Sequence, residues 1–415
     1  MRYASLVVLC ALGCTKGAAD DSGTPTADLP YVIVDTNQSL CYDNTQSITC
    51  PTSGSHYGQD AQYSGAQPSY TDNGDGTITD DNTALIWQQE PSETMPHSDA
   101  AAYCDGLELG GRDDWRLPST KELYSLIEFD GATGTGNPED STAPPDADPY
   151  LDDGVFGFEY GGADGGRYID AQYATTTIYV SRVMADNDGL EAGQEAFFGV
   201  NFADGRIKGY PTEGGQDWYV RCVAGNTDYG VNDFEDNGDE TVTDHATGRM
   251  WTRADSGTLG TGVLDWSGAL AFCEDLDHAG YDDWRLPNAK ELQSLLDYTR
   301  SRDTTSSAAI DAVFDATAIT DEDGHENYGF YWTGTTHLDG QILGADAVYV
   351  AFGEALGYFM GPTTGQDLFL DVHGAGAQRG DPKAGDADDF PVWGGGPQGD
   401  VRRVYNLARC VRDAD

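Results

Sequence analysis

The sequence predicts an α+β fold, built as two tandem copies of one disulfide-stapled domain. Three observations predict it. The two halves carry the same blocks in the same order, their cysteines fall at matching places, and each half alternates strand-like with helix-like segments. At 415 residues the chain suits two cores better than one.

The blocks run in order. Asp72-Asn73-Gly74-Asp75-Gly76-Thr77-Ile78-Thr79-Asp80 matches Asp236-Asn237-Gly238-Asp239-Glu240-Thr241-Val242-Thr243-Asp244, and strands at Trp87 and Trp251 follow. Asp-Gly within alternating residues reads as a hairpin. Ala100–Cys104 matches Ala269–Cys273, and Ser98 and Ser267 are the expected N-caps of this first helix. Asp113-Asp114-Trp115-Arg116-Leu117-Pro118-Ser119-Thr120-Lys121-Glu122-Leu123 matches Asp282-Asp283-Trp284-Arg285-Leu286-Pro287-Asn288-Ala289-Lys290-Glu291-Leu292. Ser119 with Glu122, and Asn288 with Glu291, read as capping boxes of a second helix. Leu123, Leu126 and Ile127, like Leu292, Leu295 and Leu296, give that helix one apolar face. A long loop and strands follow, with Tyr173–Thr177 against Tyr331–Thr335, and each half ends at Val220-Arg221-Cys222-Val223 or Ala408-Arg409-Cys410-Val411.

The repeat selects the disulfides. Cys10 falls in an apolar leader and Cys14 at its end, which leaves six cysteines. They pair as Cys104–Cys222 and Cys273–Cys410 within the copies and Cys41–Cys50 ahead of them. No Cys-x-x-Cys spacing occurs, so neither zinc nor a redox pair is suggested.

The N-terminus predicts export. Arg2 precedes a short apolar run, Leu6 to Leu12, too short to span a bilayer, and Ala11-Leu12-Gly13-Cys14 resembles a lipobox. Cys14 is the expected lipidation site, and the destination the outer membrane or cell surface. The expected division is a lipoprotein signal peptide over 1–14, a flexible tether over 15–30, a first domain over 31–225 with its Cys41–Cys50 leader, a linker over 226–232 and a second domain over 233–415. With 71 Asp+Glu against 22 Lys+Arg, a net charge of -49, the surface repels nucleic acid and other polyanions. The membrane is met through the lipid anchor alone.

These blocks resemble the Lcl C-terminal domain family, named for a bacterial collagen-like adhesin. Asn-Gly-Asp-Gly-Thr-Ile-Thr-Asp, Asp-Trp-Arg-Leu-Pro-x-x-Lys-Glu-Leu, Tyr-Trp-Thr-Gly-Thr-Thr and Val-Arg-Cys-Val look like its signature, over about 68–225 and 231–412. The resemblance implies a C-type-lectin-like fold, with two helices packed on a short, twisted antiparallel sheet and long loops. It also implies an exported, often lipid-anchored protein. The founding adhesin's domain binds sulfated glycosaminoglycans, and the charge of this chain argues against carrying that ligand over. Ala174 stands where the second copy has Trp332, so the first copy lacks an aromatic platform or a core residue there.

Ca²⁺ is the cofactor the sequence raises. Asp72, Asp75 and Asp80, with Asp236, Asp239 and Asp244, are its candidate ligands, although Gly74 and Gly76 fall where an EF-hand needs oxygen. The Glu-Pro-Asn and Gln-Pro-Asp tripeptides of Ca²⁺-dependent lectins do not occur. Arg116 and Arg285 read as structural arginines, and Trp115 and Trp284 as core. The acidic loops 130–153, 320–327 and 380–391 are the expected variable face. No His-x-x-x-His pair or Gly-x-Ser-x-Gly elbow occurs, so no catalytic residue is assigned. The expected function is that of a surface-displayed, non-catalytic binding or adhesion lipoprotein whose partner is a glycan or surface protein. The rivals are a structural envelope component and an enzyme resembling formylglycine-generating oxidases, which need two active-site cysteines.

Overall fold

The computed structural model describes residues 29–162, 166–390 and 396–414. Cys14, the signal peptide and nearly all of the tether lie outside the described residues.

Each half opens with the expected hairpin. Tyr70–Asp72 pairs with Thr77–Asp80, and Phe234–Asp236 with Thr241–Asp244, both antiparallel. The turn requires a left-handed residue before the return strand. Gly76 supplies it at φ 87°, and Glu240 is held at φ 74° in the second copy. Strands Leu85–Gln88 and Arg249–Thr252 follow, and Val223–Gly225 and Val411–Asp413 complete a four-stranded sheet in each half.

Helix α1 (His97–Asp105) and helix α3 (Trp266–Glu274) carry the first cysteine of each copy. The expected caps at Ser98 and Ser267 are not used, because both helices begin earlier. Asp265 caps α3 by accepting from the Gly268 N–H at 2.7 Å, a charge-assisted bond a serine cannot match. Pro96 precedes α1 with extended backbone and no side-chain cap. Helix α2 (Thr120–Tyr124) and helix α4 (Ala289–Ser294) start with the capping boxes read from the sequence. Ser119 Oγ accepts from Glu122 N at 3.2 Å and Asn288 Oδ1 from Glu291 N at 2.9 Å, and each glutamate reaches back.

The fold class differs from the expectation. Among the described residues there are 22 strands and five α-helices, none longer than nine residues. The strands form six small antiparallel sheets, so the protein is mostly β and is not a helix-on-sheet C-type-lectin arrangement. The reason lies in the partners of the helix faces. Leu123, Leu126 and Ile127 share one buried cluster with Leu292, Leu295 and Leu296, so the second helices meet each other across the repeat. The cluster also holds Trp87 and Trp251, and it runs through both halves. Two smaller clusters surround the disulfides, one with Cys104, Cys222, Trp115 and Trp218, the other with Cys273, Cys410, Trp266, Trp284 and Trp332.

The strands after the helices also cross the repeat. A six-stranded sheet runs from Phe330–His337 through Asp346–Ala351 and Gln378–Pro382 to Arg206–Pro211, Ala196–Asn201 and Gln172–Tyr173. Ile207 opposite Gln378 joins the halves there, and Asp371 opposite Ala185 joins them in a second, four-stranded sheet. The leader straps both halves together. Gln38 exchanges bonds of 2.8 Å with the Thr336 backbone of the second copy and donates to Phe129 O of the first at 2.9 Å. The three expected disulfides are present.

Candidate functional site at the seam between the copies

The seam is built by one motif used twice. Lys121 of α2 donates to Ser294 O at the end of α4, at 2.7 Å. Lys290 of α4 donates to Ser125 O at the end of α2, at 2.8 Å. Each ammonium therefore meets the carbonyl end of the opposite helix, where the dipole favours a cation. Lys121 also takes Asn232 Oδ1 at 2.8 Å and Gly230 O at 3.1 Å, so all three of its protons are placed. Lys290 takes Asp35 O at 2.9 Å. Burial pulls both lysines down to about 8, against the attraction of Asp244 and Asp297 for Lys121 and chiefly of Glu128 for Lys290.

Further buried charges lie along the seam, where Arg206 reaches Asp339 across it and the His373, Arg379 and Asp400 group stays within the second copy. Asp204 accepts from Arg206 at 3.0 Å and Lys208 at 2.9 Å, Arg206 also pairs with Asp339, and His337 Nε2 lies 2.9 Å from Asp204 O. His373 pairs with Asp400 at 2.8 Å, and Arg379 with Asp400 at 2.6 Å. Burial and the neighbouring arginines hold both histidines down to about 4.

A water-sized cavity of about 10 Å³ lies between Lys121, Tyr124, Lys290 and Gln293. Beside it opens a cleft of about 290 Å³, near the lower end of ligand-sized pockets. Lys121 supplies its first-copy wall. Leu295, Leu296, Phe234 and Tyr298 make it partly apolar and aromatic, and Asn232, Asp297 and Asp311 add polar groups. Tyr298 is half-buried, and Gln293 donates to its hydroxyl at 3.2 Å. Such a mixture fits a small polar, uncharged group stacked on a ring.

The residues singled out from the sequence lie elsewhere. Asp72 accepts from Gly74 N at 2.8 Å and Asp75 from Thr77 Oγ1 at 2.7 Å. Asp236 and Asp239 repeat this with Gly238 N at 2.9 Å and Thr241 Oγ1 at 2.6 Å. Asp80 and Asp244 are buried at the far end of the return strand, where they accept from the next turn. These carboxylates hold their own turns in shape. Trp115 and Trp284 are buried, and Arg285 binds Glu291 through two bonds of 2.6 Å, as Arg116 pairs with Glu122. Ala174 sits in the buried cluster with Trp218, whose counterpart by the Arg-Cys alignment is Asn406. Trp218 enters that cluster from an isolated bridge with Met95, whereas Trp332 enters the second copy's cluster from strand Phe330–His337.

Two things were missed. The cleft joins a helix lysine to residues far away in sequence, and no local pattern marks it. Asp188, Asp323 and His325 converge from two turns, one in each copy. Only the acidic 320–327 stretch had signalled any part of this group.

The model of the family described as Lcl C-terminal domain matches residues 76–224 and 240–365. No curated protein and no solved structure matches the chain.

Proposed function

The chain belongs to the Lcl C-terminal domain family, which it carries twice, and we propose from this that it is a surface-displayed, non-catalytic binding protein whose ligand seats in the cleft beside Lys121. The observation that carries the reading is the cleft itself, partly apolar with an exposed carboxylate at Asp311. The lysine that forms its wall is a structural member of it, since backbone and amide oxygens take all three of its protons. The six cysteines of the described chain are tied in disulfides, which leaves the two-thiol chemistry of formylglycine-generating oxidases without its thiols. Those disulfides also favour an oxidising compartment and thus export, with Cys14 as lipid anchor at the outer membrane or cell surface. Given the negative surface, the proposed ligand is a neutral glycan or a cell-surface component with a neutral polar face.

The test is a glycan array probed with the chain from residue 29 onward, with Ca²⁺ and with chelator. Selective binding that Tyr298→Ala and Asp311→Asn each weaken supports the cleft. Binding that survives both substitutions moves the ligand elsewhere. An absence of binding in both arms overturns the glycan form of the reading.

A further inference from the structure

Two hairpin turns from different copies meet on the surface. One joins strands Val183–Ala185 and Ala192–Gln194 in the first copy, and the other joins Ala318–Thr320 and Glu326–Tyr328 in the second. Asp188 comes from the first, Asp323 and His325 from the second. One ligand atom from each lies within 4.8 Å of the other two. His325 Nε2 is 3.5 Å from Asp323 Oδ2 and 3.8 Å from Asp188 Oδ1. Both separations are too long for a good hydrogen bond. They suit donors around an ion instead, since tetrahedral zinc with bonds near 2.0–2.1 Å sets its ligands roughly 3.3 Å apart.

The surroundings hold the three groups in place without using them. Asp186 accepts from Asp188 N at 3.1 Å and Glu191 N at 2.6 Å, which fixes the first turn. Asp321 accepts from Asp323 N at 3.1 Å and His325 N at 2.9 Å, which fixes the second. Arg302 ties the first turn to the second copy, binding Asn187 at 2.6 Å and the buried Glu354 at 2.8 Å. The side chains of Asp188, Asp323 and His325 make no hydrogen bond to any other described residue.

We propose that Asp188, Asp323 and His325 form a divalent transition-metal site that ties the two copies together at this edge. One imidazole and two carboxylates suit Zn²⁺, and the imidazole disfavours Ca²⁺. Water fills the remaining coordination, and the metal acts as a cross-link between turns. The site is separate from the cleft, and its test does not depend on the cleft's ligand.

The experiment is titration calorimetry of the chelator-treated protein with Zn²⁺ alone, in excess Ca²⁺ to occupy the acidic surface, paired with thermal melting. The expected result is one zinc per chain and a higher melting temperature. Both are lost in His325→Ala and in Asp188→Asn, while the zinc-free melting temperature stays at the wild-type value. Zinc binding that persists unchanged in both variants overturns the assignment, as does an absence of zinc binding. Displacement of zinc by Ca²⁺ one for one overturns the choice of metal class.

Discussion

At the scale of single residues, the repeat lets one copy serve as control for the other. Glu240 adopts the left-handed backbone that Gly76 takes in the first copy. A side chain there costs roughly 1–2 kcal/mol, and a glycine gives back part of that through its freer unfolded chain. Glu240→Gly should therefore stabilise the protein by roughly 0.5–1 kcal/mol, read as a higher denaturant midpoint at unchanged slope. Lys290 has the opposite sign. It is buried, bonded to two carbonyls, and draws the field of Glu128, Asp35 and Asp80. Lys290→Met strands those groups and should cost about 3–5 kcal/mol. Lys121→Met should cost less, because Lys121 is half-buried and borders the open cleft. Equal losses at both positions would show that exposure does not govern the cost.

At the scale of elements, short-range signals were legible and long-range ones were not. The hairpins, the capping boxes at Ser119 and Asn288, and the pairing of cysteines could be read because each depends on neighbours in sequence or on the repeat. The apolar faces of α2 and α4 were legible too, but their partners were not, since periodicity says that a face is buried and not against what. The strand Gln378–Pro382 runs into the 380–391 stretch read as a loop, because its partners Asp346–Ala351 and Ile207 lie far away in sequence. The cleft stayed hidden for the same reason. Asp188 and Asp323 lie in turns that meet only in the folded chain. The disulfides are the elements whose contribution can be read most directly. Cys104–Cys222 and Cys273–Cys410 close loops of 118 and 137 residues. On the chain-entropy account, replacing either pair by alanine costs about 4–5 kcal/mol. Replacing Cys41–Cys50, with a separation of nine residues, costs less. A larger loss at Cys41–Cys50 would assign the leader's strap, and not loop length, the main role.

At the scale of the whole molecule, the two copies are one folding unit. They share two sheets, one central cluster and the leader that bonds to both, so unfolding should be a single cooperative transition, with two separated transitions by calorimetry as the contrary result. The seam's buried charges then set how that transition depends on pH. Burial raises Asp60, Glu128 and Asp381 to about 7, and it raises the neighbouring pair Glu354 and Asp371 as well. A carboxyl raised on folding stabilises fully below its unfolded value, and that contribution is lost as pH rises through the folded value. These groups therefore weaken the protein between about pH 4 and 7 as pH increases. His337 and His373, held down to about 4, act oppositely: the native state binds fewer protons than the unfolded one between about 4 and 6.5, so they weaken it as pH falls through that window. Asp204 and Glu291, held down to about 2 by their cationic partners in spite of burial, protect the fold until pH drops below about 4. The raised carboxyls outnumber the two histidines. A charge of -49 at neutral pH adds self-repulsion that mild acid relieves. The melting temperature should therefore be higher at pH 5.5 than at pH 7.5, and should fall steeply below pH 4. The pH 5.5 advantage should shrink in Asp60→Asn, which removes one raised carboxyl while Thr36 and Thr335 keep a partner there. A melting temperature that rises steadily from pH 5.5 to 7.5 would mean that the histidines, and not the buried carboxyls, govern the seam.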